Sequence, residues 1–428
     1  MALRWAFFRR CRSASTPSKV HAVDSPFEAL VEQGLGESLD TGAARYFGFP
    51  HGSVSEAAVR GASLVARINP ELATRHHALF ASQVEARATS LLGAHFFGDV
   101  PHGGIVTTGA SEANLCALQL ALARTEPNCA RRGIRGLRGP PRVYVSNDAH
   151  PSVLKACRIA GFGDEALTSV ASDALGRMQP RDLSRLVGEH RARGDIAIAV
   201  VATFGTTTLG ALDPIAEIAH VARANGIYLH VDAAYGGFLA FTGSRSSDVS
   251  ELALADSIAF DPPKVFDIPI GAGLLFSRDK SLFRAAFGVP ARYLPRRGDE
   301  PYATTPSWSR SARLLPLVFA LAARGLEGVA DALTTKLKLG RELEDALTSR
   351  GYRTMKGSAL PVVGFTDDRI PKEDRAAVLT ARAQRAREVA GAYVPLVRLP
   401  SGEAILRAAI VSEHTTIDDV HALVSALD

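Results

Sequence analysis

Cysteine is scarce: Cys11, Cys116, Cys129 and Cys157 are the four in 428 residues, and they form neither a CxxC pair nor any other metal-ligand spacing. That pattern fits reduced thiols in a cytoplasmic setting and offers no metal site. Long hydrophobic runs are missing too. None reaches the roughly 18 residues a membrane span needs, so no integral membrane segment is expected. No GxGxxG follows a strand in the N-terminal half, which disfavours a nicotinamide dehydrogenase. Acidic residues are absent from the first 20 positions, where Arg4, Arg9, Arg10, Arg12 and Lys19 supply five cations. The formal net charge is +5, so the rest of the chain balances to about zero. A nucleic-acid footprint would cluster cations on a folded face, and nucleic acid is not an expected partner. The Arg- and Ser-rich start, MALRWAFFRRCRSASTPSKV, has the composition of a transit peptide or of a disordered segment, and residues 1–25 are read as one or the other.

What is present is an ordinary globular composition, 46% hydrophobic and 22% charged, on a chain too long for one core. A large domain plus a smaller one is the expectation. Residues 26–98 read as an N-terminal helical arm, with helical spacing over 55–68 and 76–98. Residues 99–310 alternate helical stretches with near-continuous apolar runs: a short strand opening 103–124, then 142–146, 197–203, 227–232, 257–260 and 273–277. Such runs predict a mostly parallel sheet buried on both faces. Residues 311–428 hold helices over 311–325, about 328–350 and 373–391, with strands at 361–366, 393–398 and 404–411, a small C-terminal α+β domain.

The chemistry concentrates at strand ends, where parallel α/β sheets build their sites. Lys264 follows the run SIAF in a proline-flanked turn, DPPK, and Asp232 ends the run IYLHVD. A solvated turn lysine is ordinary, but a carboxylate directly after an apolar strand is costly to bury without a partner. A lysine for a Schiff base and a carboxylate for a pyridinium nitrogen are the two protein groups that pyridoxal phosphate (PLP) requires. The turn TTGASEAN opens a helix whose first N–H groups, near Ala110 and Ser111, suit a phosphate. His150, in AHPSV, follows another strand end and can lie against a ring. Thr207, in FGTTTLGALD, offers a hydroxyl, and Ala234 a methyl group beside Asp232. Each of these has a structural alternative: a helix cap, a surface histidine, a turn threonine.

The stretches GASEAN, AHPSV, FGTTTLGALD, HVDAAYGG and DPPK, in this order, resemble the PLP-dependent group II amino-acid decarboxylases, which include the aromatic-L-amino-acid, glutamate and tyrosine decarboxylases. The resemblance runs from about residue 43 to the C-terminus. It implies an aminotransferase-like α/β fold (fold type I) and a homodimer. It makes Lys264 the residue that carries PLP, Asp232 the partner of the pyridinium nitrogen, His150 the ring-stacking group, Ala110 and Ser111 the phosphate contacts, and Thr207 and Ala234 neighbours of the cofactor. Tyr293, in RYLPRRGDE, falls where the family has the mobile-loop tyrosine that helps protonate the product. Arg407, in ILRAAIVSEHTT, matches the arginine that engages the substrate α-carboxylate.

The sequence departs from the family at Pro263, where DPHKW is usual, and there both an imidazole and a backbone N–H are given up. A cis bond at Pro263 is a further possibility for such a position. The implied activity is decarboxylation of a small-molecule L-amino acid to its amine. Alternatives are an aldehyde-forming, transaminating or lyase relative, or a non-catalytic paralogue that keeps the scaffold. Tyr46, Phe47 and Phe49 can line a pocket or the core, and Arg45 can meet an acidic side chain; the substrate itself is not specified.

Overall fold

Seven strands form the larger sheet: β1 (Gly103–Thr107), β2 (Pro141–Ser146), β3 (Leu167–Val170), β4 (Ile196–Thr203), β5 (Tyr228–Asp232), β6 (Ser257–Phe260) and β7 (Gly273–Ser277). They are seen in a computed structural model that describes residues 25–243, 246–293, 300–355 and 358–428. Their order is β1-β7-β6-β5-β4-β2-β3. The pairs from β3 across to β6 are parallel, as the buried apolar runs predict. GLLFS is the exception, since β7 runs antiparallel to both β6 and β1. The connection from β6 to β7 contains only the single turn Pro262–Lys264 and no crossover helix, so the chain has to return antiparallel. β3 was not an expected strand: LTSV is four residues with two hydroxyls, too short and polar to announce itself.

Alternation divides each strand between the two faces. Val143 and Val145 pack with the helix Ala110–Thr125 on one side, whereas Tyr144, Val200 and Val231 join the core on the other. Beneath the Lys264 turn sits a group of phenylalanines. Phe260 and Phe266 bracket the turn, and both pack on Phe241 with ring centroids 5.5 and 5.1 Å apart. Aromatic pairs of this kind add about 0.5–1.5 kcal/mol each beyond their buried area, which anchors the turn on both sides.

The smaller sheet contains β8 (Arg353–Thr354), β9 (Val362–Thr366), β10 (Leu396–Arg398) and β11 (Ala404–Ala409), in the antiparallel order β10-β11-β9-β8. Helices Lys372–Ala390 and Ile417–Ala426 share its core. The helix Leu315–Ser349 is broken at Gly325, whose φ of +71° suits glycine. It is therefore two helices, divided close to the expected position. The helices Glu56–Ile68 and Leu79–Phe97 also form where the spacing predicts them. Residues 25–40 belong to a unit of their own, in which Ser25–Gly36 is a helix. No helix among the described residues is long and apolar enough to cross a membrane.

Candidate active site

The carboxyl ends of β1, β2, β4, β5 and β6 and the start of β7 lie along one edge of the larger sheet. A cavity of about 240 Å³ opens there. Ala110, Ser111, His150, Thr207, Asp232, Ala234, Lys264 and Arg407 all line it, so eight of the nine residues selected from the sequence are brought together. Two glycines make the edge compact. A side chain at Gly273 would come within 2.4 Å of the Gly109 backbone, and one at Gly236 within 2.0 Å of the Phe204 carbonyl. The first lets the strand edge reach the start of the helix, and the second closes β4 against the loop after Asp232.

The helix Ala110–Thr125 begins with Gly109 at its N-cap, and no side chain caps it. Its first-turn N–H groups therefore have no intrahelical acceptor and no capping oxygen. Glu112 turns back to accept from the Thr108 N–H at 2.5 Å, so it orders the approach to the helix. Lys264 sits at the end of the turn after β6, with Nζ 3.4 Å from Asp261 Oδ2. Burial raises the Asp261 carboxyl above its ordinary range, and the ammonium of Lys264 opposes that shift. The peptide bonds of this turn are trans, Pro263 included.

Asp232 is 6% exposed and its carboxylate is held from two sides. Oδ1 accepts from the Ala234 N–H at 3.1 Å and Oδ2 from Asn114 Nδ2 at 2.7 Å. Asn114 lies one helical turn after Ala110, which aims it down at the sheet. Tyr228, His230 and Asp232 share one face of β5 because side chains alternate. His230 Nε2 consequently meets Asn114 Oδ1 at 2.9 Å, and its Nδ1 lies 2.9 Å from Ser257 Oγ. Burial pushes the His230 imidazole down to about 4. His150 Nδ1 accepts from the Ser152 N–H at 3.2 Å and lies 2.8 Å from Ser152 Oγ.

Arg407 is fully buried on β11. Leu406 and Ala408 enter the core of the small sheet, so alternation turns Arg407 and Ala409 to the opposite face. Nη1 donates to the Gly48 carbonyl at 2.6 Å, and the guanidinium carbon is 5.2 Å from the centre of the Phe49 ring. Nε and Nη2 are buried with no hydrogen-bond partner among the described residues. Burial lowers this arginine to about 10.

Tyr293 is the selected residue that does not line the cavity. It is 76% exposed and rests on Trp308, ring centroids 6.1 Å apart. Arg45 is committed elsewhere, pairing with Asp419 at 2.8 Å and donating to the Ala390 carbonyl. Of the three aromatics near it, Phe49 lines the cavity, Phe47 is in the small-sheet core, and Tyr46 stacks on Tyr393. The sequence reading passed over His51, Ser152 and Asn114. His51 lines the cavity with a buried, unpartnered Nδ1, and burial and then Lys264 lower its pKa.

This arrangement fits PLP. An uncapped helix start suits a phosphate, a buried carboxylate suits a protonated ring nitrogen, and a lysine on the wall of the same cavity suits an aldehyde. The orphaned nitrogens of Arg407 suit the carboxylate of an amino acid.

The family profile described as pyridoxal-dependent decarboxylase conserved domain matches residues 86–366. Over 391 residues the chain is 32% identical to L-2,4-diaminobutyrate decarboxylase of Rhizobium meliloti, covering 88% of this chain and 76% of that protein. It is also 32% identical to cysteine sulfinic acid decarboxylase of Rattus norvegicus over 262 residues, 60% of this chain and about half, 52%, of that relative. The Oryza sativa TDC structure with PLP and tryptamine shares the fold, with a TM-score of 0.88, 22% identity, and coverage of 97% of this chain and 89% of that one. A profile match through more than half of the residues, on the fold those residues were expected to form, makes this chain a member of the pyridoxal-dependent decarboxylase family, carboxy-lyases that use pyridoxal phosphate.

Proposed function

We propose that the protein decarboxylates a small L-amino acid to its amine, with Lys264 carrying the cofactor and Arg407 holding the substrate α-carboxylate. The observation that carries this reading is Arg407: a fully buried guanidinium with Nε and Nη2 unpartnered, on the wall of the cavity that contains Lys264. An unpaired buried charge is expensive, and a carboxylate is its natural partner.

Bound in the cavity, PLP supplies the electron sink that lets the bond between Cα and the carboxylate break. The protein's own groups do the rest. Asp232, oriented by Ala234 and Asn114, would face the ring nitrogen and favour its protonated form. Ala110 and Ser111 would hold the phosphate at the helix start, and Thr207 would offer a hydroxyl to the cofactor. His150 would offer its ring to the cofactor, with Ala234 on the wall beside Asp232. Arg407 fixes the carboxylate and so selects which bond at Cα is broken. Carbon dioxide leaves, the electron pair stays behind, and an acid returns one proton to Cα. Tyr293 is the acid in this reading. Because its ring rests on Trp308 outside the cavity, it has to reach Cα by loop closure or from a second copy in a homodimer.

The side chain of the substrate meets Phe49, Pro50 and His51. A short polar side chain is the class we favour, since the relative spanning most of this chain is named for diaminobutyrate. The test is product analysis. PLP-loaded protein is incubated with a pool containing 2,4-diaminobutyrate, aspartate, cysteine sulfinate, glutamate and tyrosine, and carbon dioxide, amine and aldehyde are measured. Carbon dioxide with one equivalent of amine from a short polar substrate supports the reading. Carbon dioxide with aldehyde and peroxide would replace it by the aldehyde-forming reaction, and no carbon dioxide from any amino acid would end it.

A further inference from the structure

We infer that Asn114 is a positioning residue that ties the two polar groups of the cofactor site, Asp232 and His150, to one orientation set by His230. The inference rests on the PLP reading of the cavity and adds residues to it that act through others. Its basis is a hydrogen-bond chain whose direction is fixed at every step.

The direction follows from Asp232. An ionised carboxylate only accepts, so the Asn114 atom 2.7 Å from Oδ2 has to be the amide nitrogen. The second hydrogen of that nitrogen points to Ser152 Oγ, 3.1 Å away. The amide oxygen then faces His230 Nε2 at 2.9 Å, and Nε2 has to carry hydrogen. His230 is fully buried, and burial favours the neutral ring, so its Nδ1 is left bare to accept from Ser257 Oγ at 2.9 Å. At the other end Ser152 Oγ has received a hydrogen from Asn114, and it passes its own to His150 Nδ1 at 2.8 Å. The Ser152 N–H also donates to that nitrogen at 3.2 Å, so His150 carries its remaining hydrogen on Nε2. The sequence of donation is Ser257 to His230, His230 to Asn114, Asn114 to both Asp232 and Ser152, and Ser152 to His150.

Asn114 is the one branch point. Its amide can satisfy Asp232 and Ser152 together only with the oxygen turned toward His230, and the His230 N–H holds it there. Flipped, the amide would set its oxygen against a carboxylate, two acceptors face to face in a buried site. Asn114, His230, Ser257 and Ser152 are all buried at 4% exposure or less, so water does not compete for the bonds among them, while His150, at the exposed end of the chain, is held by the two Ser152 donors. The chain thereby fixes which oxygens Asp232 presents to a ring nitrogen and which tautomer of His150 faces the ring, through a residue that need touch neither cofactor nor substrate.

The test uses full-length protein loaded with PLP labelled with ¹⁵N in the ring, with four variants: Asn114→Ala, His230→Leu, His230→Gln, and Asn114→Ala combined with His230→Leu. Three quantities are read: the PLP dissociation constant, the ring-nitrogen chemical shift, and kcat separately from KM. Asn114→Ala should raise the dissociation constant about tenfold, move the ¹⁵N signal toward the unprotonated position, and lower kcat more than it raises KM. His230→Leu should move the same quantities in the same direction, and the double variant should be no worse than Asn114→Ala alone. His230→Gln, which retains an N–H donor, should recover most of the ¹⁵N position. An unmoved ¹⁵N signal in a folded Asn114→Ala protein, additive losses in the double variant, or a His230→Gln protein indistinguishable from His230→Leu would each overturn the inference. If Asn114→Ala does not fold, the comparison of His230→Leu with His230→Gln decides alone. Failure of the unaltered protein to bind PLP would instead remove the cofactor reading on which this rests.

Discussion

Arg407 Nη1 donates to the Gly48 carbonyl at 2.6 Å, and Gly48 O is the guanidinium's one hydrogen-bonding partner among the described residues, its other two nitrogens being buried and unpaired. A charge held this way costs stability when the cavity has no anion in it and gains a partner when a carboxylate enters. Arg407→Met keeps an unbranched apolar stem and removes the charge. The lost bond to Gly48 costs about 1 kcal/mol, and removal of a poorly paired buried cation returns about 1–4 kcal/mol, so the melting temperature of the substrate-free protein should hold or rise. KM should rise about 10- to 100-fold, the loss of a charge-assisted contact. A variant with unchanged KM and a lower melting temperature would make Arg407 a structural residue.

Asp232→Asn is nearly isosteric and removes the negative charge that faces a ring nitrogen. The single amide oxygen at position 232 can accept from only one of its two present donors, the Ala234 N–H or Asn114 Nδ2, so the fold should survive at a cost of about 1–3 kcal/mol for the bond that is lost. Turnover should drop by about 10³-fold while PLP remains trappable on Lys264 by borohydride. Near wild-type turnover would show that the carboxylate serves the fold alone.

Lys264 and Asp232 were legible in the sequence because Asp232 ends one apolar strand and Lys264 closes the turn after another, and strand ends of a parallel sheet face one edge. The antiparallel return of β7 was not legible. Its sequence, GLLFS, is as apolar as that of its parallel neighbours, and direction is decided by the connection and not by the strand. Asn114 and His230 were missed for a different reason: what they do depends on which helix covers which face of β5. One signal was present, since His230 precedes Asp232 by two residues and therefore shares its face. His51 lies in a lead-in segment where no regular element fixes direction, so only the fold reveals that it lines the cavity. Tyr293 was chosen because the resemblance places the family's loop tyrosine there, and a matched position does not say where a loop side chain rests.

Acid stability gives a third test. Burial pushes His230 down to about 4, against an ordinary 6.5, and burial lowers His51, His95, His150 and His190 as well. Between those two pH values the unfolded chain binds more protons at position 230 than the folded protein does. The stability that the neutral ring contributes is therefore fully present above pH 6.5 and is lost as the pH falls through about 4, by about 3 kcal/mol at most. Asp213, which burial pushes up to about 7, acts in the opposite sense, but it is common to the protein and its variants and cancels in a comparison. His230→Gln does not titrate. Denaturant unfolding at pH 7 and pH 4.5 should show a smaller loss for the variant, and an equally steep loss would mean that His230 is not buried in its neutral form.

Tyr293 separates amine formation from aldehyde formation. After carbon dioxide leaves, the electron pair at Cα either takes a proton, giving an amine, or reacts with oxygen, giving an aldehyde, ammonia and peroxide. The partition depends on whether an acid is within hydrogen-bond reach of Cα. Tyr293→Phe keeps the ring on Trp308 and deletes only the hydroxyl, so PLP binding should be intact, amine formation slower, and the share of aldehyde higher. An unaltered amine yield would remove Tyr293 as the proton donor. Where the tyrosine acts from is open to a second measurement, because its exposed position beside Trp308 allows either its own cavity or that of a second copy. Lys264→Ala and Tyr293→Phe subunits, refolded together, form hybrids in which one site has an intact Lys264 in its own chain and an intact Tyr293 only in the partner. If the tyrosine crosses the interface of a homodimer, the mixture should form amine faster than the Tyr293→Phe protein does alone, up to about half the unaltered activity per hybrid. If it closes over its own chain, mixing should restore nothing, and the loop must carry Tyr293 from Trp308 to the cavity within one subunit.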